Sequence, residues 1–363
     1  MKKSLLALAV LGAFAGAASA QSSVTLYGLV DANFGKDLGR ADKRMGQGAS
    51  SRLGFRGVED LGGGSTAFFQ LENRFTPNNG VINGGAAAAN GSPLTLWQAR
   101  SYVGLRGGWG DVRLGREFNG AFFHGELMGD PWGWDTVASS LTVAAMRVGV
   151  GQGTNVNNAI TYTSPNMSGF SFTGQVAESD ANCGAKTLDA SGVTFGVCAK
   201  RPYSGGASYV AGPFAVRIGY DNPGNPTDKL TTLNSQYDFG AFKLWGFLGS
   251  GTTAVLANAG GIAQAANASA STRSYMLAVT VPVGQAELRA ALVDVKVNDV
   301  KTVQGYALGY HYALSKRTTL YADVAYNRKQ ILTGSFTPAS GEGPFVGTQG
   351  EKSAYDFGVK HSF

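Results

Sequence analysis

Two cysteines in 363 residues exclude a small fold stapled by a disulfide framework. Beyond the N-terminal segment no stretch of about 18 apolar residues occurs, and mean hydropathy is −0.05. A helical membrane bundle is therefore excluded. Charged residues make up 15% of the chain, against about 25% in ordinary soluble domains. No run of five or more basic residues appears, so a nucleic-acid tail is not expected despite the net charge of +6. Histidine is limited to His124, His311 and His361. There is no Gly-x-Ser-x-Gly and no full Gly-x-Gly-x-x-Gly, because Gly149-Val150-Gly151-Gln152-Gly153 lacks the last glycine. What is abundant is glycine, 53 residues, and aromatic residues at 11%, which argue for an ordered, strand-rich chain.

The first twenty residues read as an address. Met1-Lys2-Lys3 is basic, Ser4 to Ala17 is small and apolar, and Ala18-Ser19-Ala20 offers a small-x-small cleavage site. That pattern is a secretory signal peptide. An N-terminal anchor is the alternative, but the apolar stretch is short. The mature chain is taken as Gln21–Phe363.

The mature chain alternates with period two. Val24, Leu26, Gly28, Val30, Ala32 and Phe34 interleave with Thr25, Tyr27, Asp31 and Asn33. The same rhythm recurs in Phe214, Val216, Ile218 and Tyr220, and in Tyr355, Phe357, Val359, His361 and Phe363. The spacers alternate too. Seven short ones are rich in Gly and Pro, for example Gly107–Gly110 and Pro282–Gly284. Eight longer ones include Thr76–Pro93, Phe118–Asn155 and Lys296–Lys301. Fifteen spacers separate sixteen strands.

The rhythm has a physical cause. In a bilayer every backbone polar group must be paired, so a spanning sheet has to close on itself. Its outer face meets lipid and its inner face meets water. The expected fold is all-β, a sixteen-stranded antiparallel transmembrane β-barrel with short periplasmic turns and long extracellular loops. A secreted β-sandwich also alternates, but rarely sustains sixteen strands with such regular spacers.

Several segments carry a family resemblance. Ser22 to Asp31, SSVTLYGLVD, resembles the opening strand of the general porins of β-proteobacteria, Gram-negative outer-membrane diffusion pores. Ser51 to Gly64, SRLGFRGVEDLGGG, is similar to their second strand and first turn. Tyr102 to Gly107, Val112 to Arg116, Leu314 to Thr318 and the closing Tyr355 to Phe363 match later strands and turns in order. The resemblance implies a homotrimer in the outer membrane, among outer-membrane lipid and lipopolysaccharide, with a third loop (residues 118–155) folded into the lumen. It also implies that Tyr355, Phe357, Val359 and Phe363 form the terminal signature read by the barrel-assembly machinery.

A diffusion pore is selective through its radius and the charges at its narrowest section. A charge on the lipid face at mid-depth costs about 2–4 kcal/mol. Strand parity therefore sends Arg52 and Arg56, Glu72 and Arg74, and Arg100 to the lumen, with Arg113 the inward residue of its strand. Arg52 and Glu72 also fall on constriction positions of the resembled family. Arg116 breaks parity and is expected past the strand end or beyond a bulge. Glu126, Asp130, Asp135 and Arg147 lie on the third loop. There they either face the arginines across the opening or are ordinary loop charges. Trp132 and Trp134 are expected to pack that loop on the wall. In two places the sequence departs from the family: Ala99 and Asn155 stand where arginines are common.

Cys183 and Cys198 share the fourth long spacer. An oxidising compartment favours a loop disulfide between them, and no nearby histidine suggests a metal site. No cofactor is expected. The reading is a passive, water-filled channel for small hydrophilic solutes, leaning toward small anions. The alternatives are an outer-membrane barrel hydrolase, for which His311 is the candidate base, and a plugged structural or adhesive barrel.

Overall fold

The computed structural model describes residues 22–82, 96–146, 154–178, 200–224, 228–253, 270–329 and 351–363. Sixteen strands form the wall: β1 (Ser23–Lys36), β2 (Ser51–Gly62), β3 (Ser65–Phe75), β4 (Arg100–Gly107), β5 (Gly110–Phe118), β6 (Asn155–Thr163), β7 (Phe170–Ala177) and β8 (Tyr203–Ala211). They continue with β9 (Phe214–Asn222), β10 (Lys229–Asp238), β11 (Lys243–Thr253), β12 (Ala270–Val283), β13 (Ala286–Val297), β14 (Val300–Ala313), β15 (Thr318–Asn327) and β16 (Ser353–Ser362). Each pairs antiparallel with the next. β16 returns to β1, with Val30 opposite His361, so the sheet is closed. Gly28 and Phe363 exchange both backbone hydrogen bonds at 3.1 Å and seal the seam. Closure leaves no sheet edge, as a bilayer demands. A three-residue strand, Arg44–Gly46, pairs with β1 inside the first loop.

Short connections join β2 to β3, β4 to β5 and so on to β14 and β15, at the end where the chain begins and finishes. Longer ones leave the other end, with one correction to the expected rhythm. The spacer Lys296–Lys301 is not a loop. Asn298 (φ 48°) and Asp299 (φ 63°) form a two-residue turn between β13 and β14. Two successive left-handed residues make the hairpin turn whose twist matches the strands, and Asn and Asp tolerate that backbone. The polar run looked like a loop because its charges sit on a strand rim.

Side-chain parity separates two surfaces. Leu26, Phe55, Leu105, Ile160, Leu277 and Leu292 are exposed on the outside. In water such a belt would be costly; against hydrocarbon it is the stable arrangement. Aromatic pairs mark both rims: Phe170–Tyr209 and Tyr237–Phe239 by the short turns, Tyr203–Tyr220 and Tyr306–Tyr326 toward the long loops. On β5 the register shifts between Gly115 and Glu117. This bulge lies where Arg116 breaks parity, and the Arg116 side chain bonds the Gln98 carbonyl and Asn157.

The third loop runs inside the barrel. A wide helical turn (Phe122–Glu126) lies on β8–β10, and the helix α1 (Ser139–Met146) packs on β11–β15. Trp132, Leu141 and Met146 join Phe247, Met276, Val295 and Val303 in the main hydrophobic cluster. Small inward residues make the room. At Gly309 a Cβ would fall 2.2 Å from Asp323 Oδ1 and 2.8 Å from Trp132 Nε1, so only glycine lets the loop lie this close. Arg147, Cys183 and Cys198, together with the leader, lie outside the described residues.

Candidate pore constriction

On β2–β5 inward parity stacks the basic side chains beside one another. Arg52 stands opposite Arg74, Gly54 opposite Glu72, and Arg56 opposite Gln70. Glu72 in turn stands opposite Arg100, and Arg113 opposite Gly104. Like charges this close repel, so acids and aromatic faces are interleaved. Arg74 Nε lies 3.2 Å from Glu72 Oε1, and the Tyr27 hydroxyl donates to Glu72 Oε2 at 2.9 Å. Tyr102 donates to Gln70 Oε1 at 2.7 Å. The Arg100 guanidinium sits 4.2 Å from the centre of the Phe118 ring, and that of Arg56 lies 5.6 Å from the Tyr27 ring.

Sequence reasoning missed Glu117. It is buried on β5, with Oε2 accepting from Arg113 at 2.8 Å and Oε1 lying 2.9 Å from Arg100 Nε. The Arg100 contact is a charge contact rather than an aligned hydrogen bond, because that Nε finds no acceptor in line. Asp111 lies 2.9 Å from Arg113 Nε on the same terms. Glu117 has the parity of Arg113, which is the signal that could have found it; the suspected strand end near Arg116 hid it. Among the described residues Arg52 and Arg56 have no ion-pair partner, and Arg56 is exposed. The two positions that depart from the family touch: Asn155 Nδ2 donates to the Ala99 carbonyl, and both are buried. A neutral brace stands there.

The loop acids do not face the arginines as a charged row. Glu126 is fully buried. Asp130 is buried within the loop, where it accepts from Trp132 N (3.1 Å), Trp134 N (2.8 Å) and the Ser139 hydroxyl (2.8 Å). Burial pushes its carboxyl above the usual range, and these bonds oppose the shift. Asp135 is bridged to Lys360 on β16 at 2.6 Å. Glu126 and Asp130, expected among the charges at the opening or as ordinary loop charges, are both buried, and Asp130 is engaged by the loop's own N–H and hydroxyl donors. His124, on the same loop, bonds Thr173 at 2.9 Å. Burial pushes its imidazole down to about 4, with Arg217 and Arg113 adding to the shift.

The opposite wall holds the loop. Asp323 accepts from Trp132 Nε1 at 2.6 Å and lies 3.0 Å from His311 Nε2. Asp356 accepts from Val137 N at 3.2 Å and from Asn33 at 2.8 Å. Asp31 accepts from Gly48 N, Ala49 N and the Tyr321 hydroxyl at 2.9, 3.0 and 2.6 Å. His311 thus lines the wall as a buried partner of Asp323.

A closed sixteen-stranded barrel, lipid-compatible outside and charged inside, with one loop laid along its lumen, defines a diffusion pore of the outer membrane. The chain belongs to the Gram-negative porin family, whose model matches residues 7–331. It is 35% identical to outer membrane porin protein 32 of Delftia acidovorans, over the full length of both chains. It is 32% identical to an outer membrane porin protein of Bordetella pertussis, covering 90% of this chain and 94% of the relative. Among solved structures, an anion-selective porin from Comamonas acidovorans superposes with a TM-score of 0.69 at 29% identity, over 94% of this chain and all of that one. An OmpF porin of Salmonella typhi shares the fold, with a TM-score of 0.67 at 13% identity over 94% of this chain and 97% of that one.

Proposed function

We propose that this porin passes small hydrophilic anions in preference to cations, and that Arg52, Arg56, Arg74, Arg100 and Arg113 set the preference. One observation carries the reading. Five inward arginines, of which Arg74 is buried against Glu72, share β2–β5 with the buried Glu72 and Glu117 and with Asp111, while the acids of the third loop are buried or bridged. A lumen wall of one sign raises the local concentration of its counter-ion. The anion-selective relative of similar fold supports the same direction. Reversal potentials of the purified protein in planar bilayers under a KCl gradient test it. An anion-sided potential is expected; a cation-sided one overturns the preference.

Three copies forming a trimer of separate pores complete the proposal, as does removal of residues 1–20 on export. Conductance rising in steps of three per insertion supports the trimer, and single steps count against it. The terminal Tyr355, Phe357, Val359 and Phe363 present their side chains outward from β16, as a segment recognised during assembly would require.

A further inference from the structure

We propose that Arg217, on β9 beneath the third loop, is a second anion site, which takes an oxyanion (a carboxylate or sulfate group) between the arginines of β2–β5 and the short-turn side. The site deepens the anion reading above and rests on it for its use in transport. Arg217 has inward parity, with Ile218 beside it exposed on the lipid face and Ala215 buried. It stands three residues past Phe214, so roughly 10 Å from the short-turn end of the strand. Two residues further along lies Gly219. A Cβ there would fall 2.8 Å from Ala121 Cα, and one on Gly206 of β8 would fall 2.7 Å from His124 Cβ. These two glycines let the wide turn of the third loop rest on the wall immediately above Arg217.

What sets Arg217 apart is that nothing answers its charge. Arg74, Arg100 and Arg113 each meet Glu72, Glu117 or Asp111. Arg217 has neither an ion pair nor a hydrogen bond among the described residues, and its Nη1 is buried without an acceptor. Its cross-strand neighbour Asn234 does not serve it. That amide donates through Nδ2 to the His124 and Gly125 carbonyls at 3.0 and 2.7 Å, and its Oδ1 is buried with no partner of its own. The inward acid of the same strand, Asp221, is four residues away, roughly 13 Å, and is buried with Asn119 bonded to it. A guanidinium stripped of water on one nitrogen and bonded to no acceptor is electrostatically incomplete.

The surroundings suit an oxyanion. The rest of the Arg217 side chain is only partly buried, and two oxygens of one group match its parallel N–H donors. Ser208, opposite Arg217 on β8, lies with its Oγ 2.8 Å from Ser171 Oγ on β7. One hydrogen occupies the bond between those two hydroxyls, so the other is left to donate to a ligand. Hydroxyls also lead to the site from the arginine wall. Arg113 bonds Thr163, whose Oγ1 lies 3.1 Å from that of Thr173 on β7. An anion leaving Arg113 meets this row of hydroxyls and then the unanswered guanidinium.

The test uses the folded full-length porin and selenate, a tetrahedral oxyanion located by its anomalous scattering. Crystals of wild type soaked in selenate are expected to show a peak beside the Arg217 guanidinium that is absent from Arg217→Gln. Selenate should also reduce the chloride current in planar bilayers, with a half-blocking concentration roughly tenfold higher in Arg217→Gln than in wild type. Arg217→Lys, which keeps the charge and loses the fork, should fall between the two, and Ser208→Ala should show a smaller rise. Arg217→Gln strands no partner, since none is bonded in wild type, so the fold is kept. No peak at Arg217, no block of wild type, or an equal half-blocking concentration in wild type and Arg217→Gln overturns the site. A peak with unchanged block marks an adventitious ion only and overturns it as well. Neither readout uses the sign of the reversal potential, so a cation-sided wild type would sink the selectivity reading and leave this test standing.

Discussion

On β2–β5 the arginines Arg52, Arg56, Arg100 and Arg113 are packed among aromatic and acidic side chains yet keep some surface in the lumen, whereas on β1, β15 and β16 the carboxyl groups Asp31, Asp323 and Asp356 are sealed beneath loops. Arg56 is exposed and Arg52 and Arg100 partly so, while Asp31, Asp323 and Asp356 have no more than 3% of their surface accessible. Both walls are polar and both face inward. The difference lies in what satisfies the charge. A carboxylate that receives backbone N–H, indole and hydroxyl donors is spent on architecture. An arginine held over an aromatic ring, with its other donors toward water, still acts on a passing ion. On the proposed reading one wall carries selectivity, and the other holds the loop laid along the lumen.

The comparison breaks most visibly at the exposed arginines. Arg52→Glu with Arg56→Glu removes two positive charges and adds two negative ones, without disrupting an ion pair among the described residues. The anion-to-cation permeability ratio should fall by roughly tenfold or more. Reversal potentials in the double variant check this, and an unchanged potential would place the selectivity elsewhere.

Acid tests the sealed side. His124 has a folded-state pKa of about 4 against an ordinary 6.5. The released loop therefore binds the proton more readily than the docked one. Docking is fully favoured above about 6.5 and weakens as pH falls toward 4, by up to roughly 3 kcal/mol. Open-channel noise and closures should rise over that window in wild type and much less in His124→Gln. Identical pH profiles for the two proteins would count against the loop's dependence on a neutral imidazole.

Asp323→Ala strips the acceptor from both Trp132 Nε1 and His311 Nε2. Loop docking should lose about 2 kcal/mol, seen as noisier current with the sign of selectivity kept. Asp323→Asn retains an oxygen acceptor and should be milder. If both variants conduct as quietly as wild type, the carboxylate is no latch.

The smallest effect is expected at Glu117→Gln. It removes one negative charge between Arg100 and Arg113. Anion preference should rise less than threefold, since charge on a wetted wall is strongly screened. A fall in that preference would mean that Glu117 chiefly positions the two arginines.

Much of this was legible along the chain. The alternation through Val24–Phe34 and Tyr355–Phe363 gave both faces of β1 and β16, and parity sent Arg52, Arg56, Glu72, Arg74, Arg100 and Arg113 inward. The failures share a cause. Lys296–Lys301 has the composition of a loop, yet its turn is only Asn298 and Asp299. Glu117 keeps the parity of Arg113, but the irregularity expected at Arg116 could equally have been a strand end, which hid it. Asp130 differs from a pore-facing acid only by the N–H groups that the folded loop turns toward it.

Period two, glycine-rich turns and the lack of long apolar runs were enough to determine a closed barrel, because a bilayer accepts no other sheet. Which charges stay wet was decided by tertiary structure alone. Desolvation and hydrogen-bond satisfaction depend on strands and loops hundreds of residues apart, such as Asn33 with Asp356 and Tyr321 with Asp31. A side chain's identity sets its charge; the neighbours brought to it in space set whether that charge is felt by an ion or consumed in holding the fold.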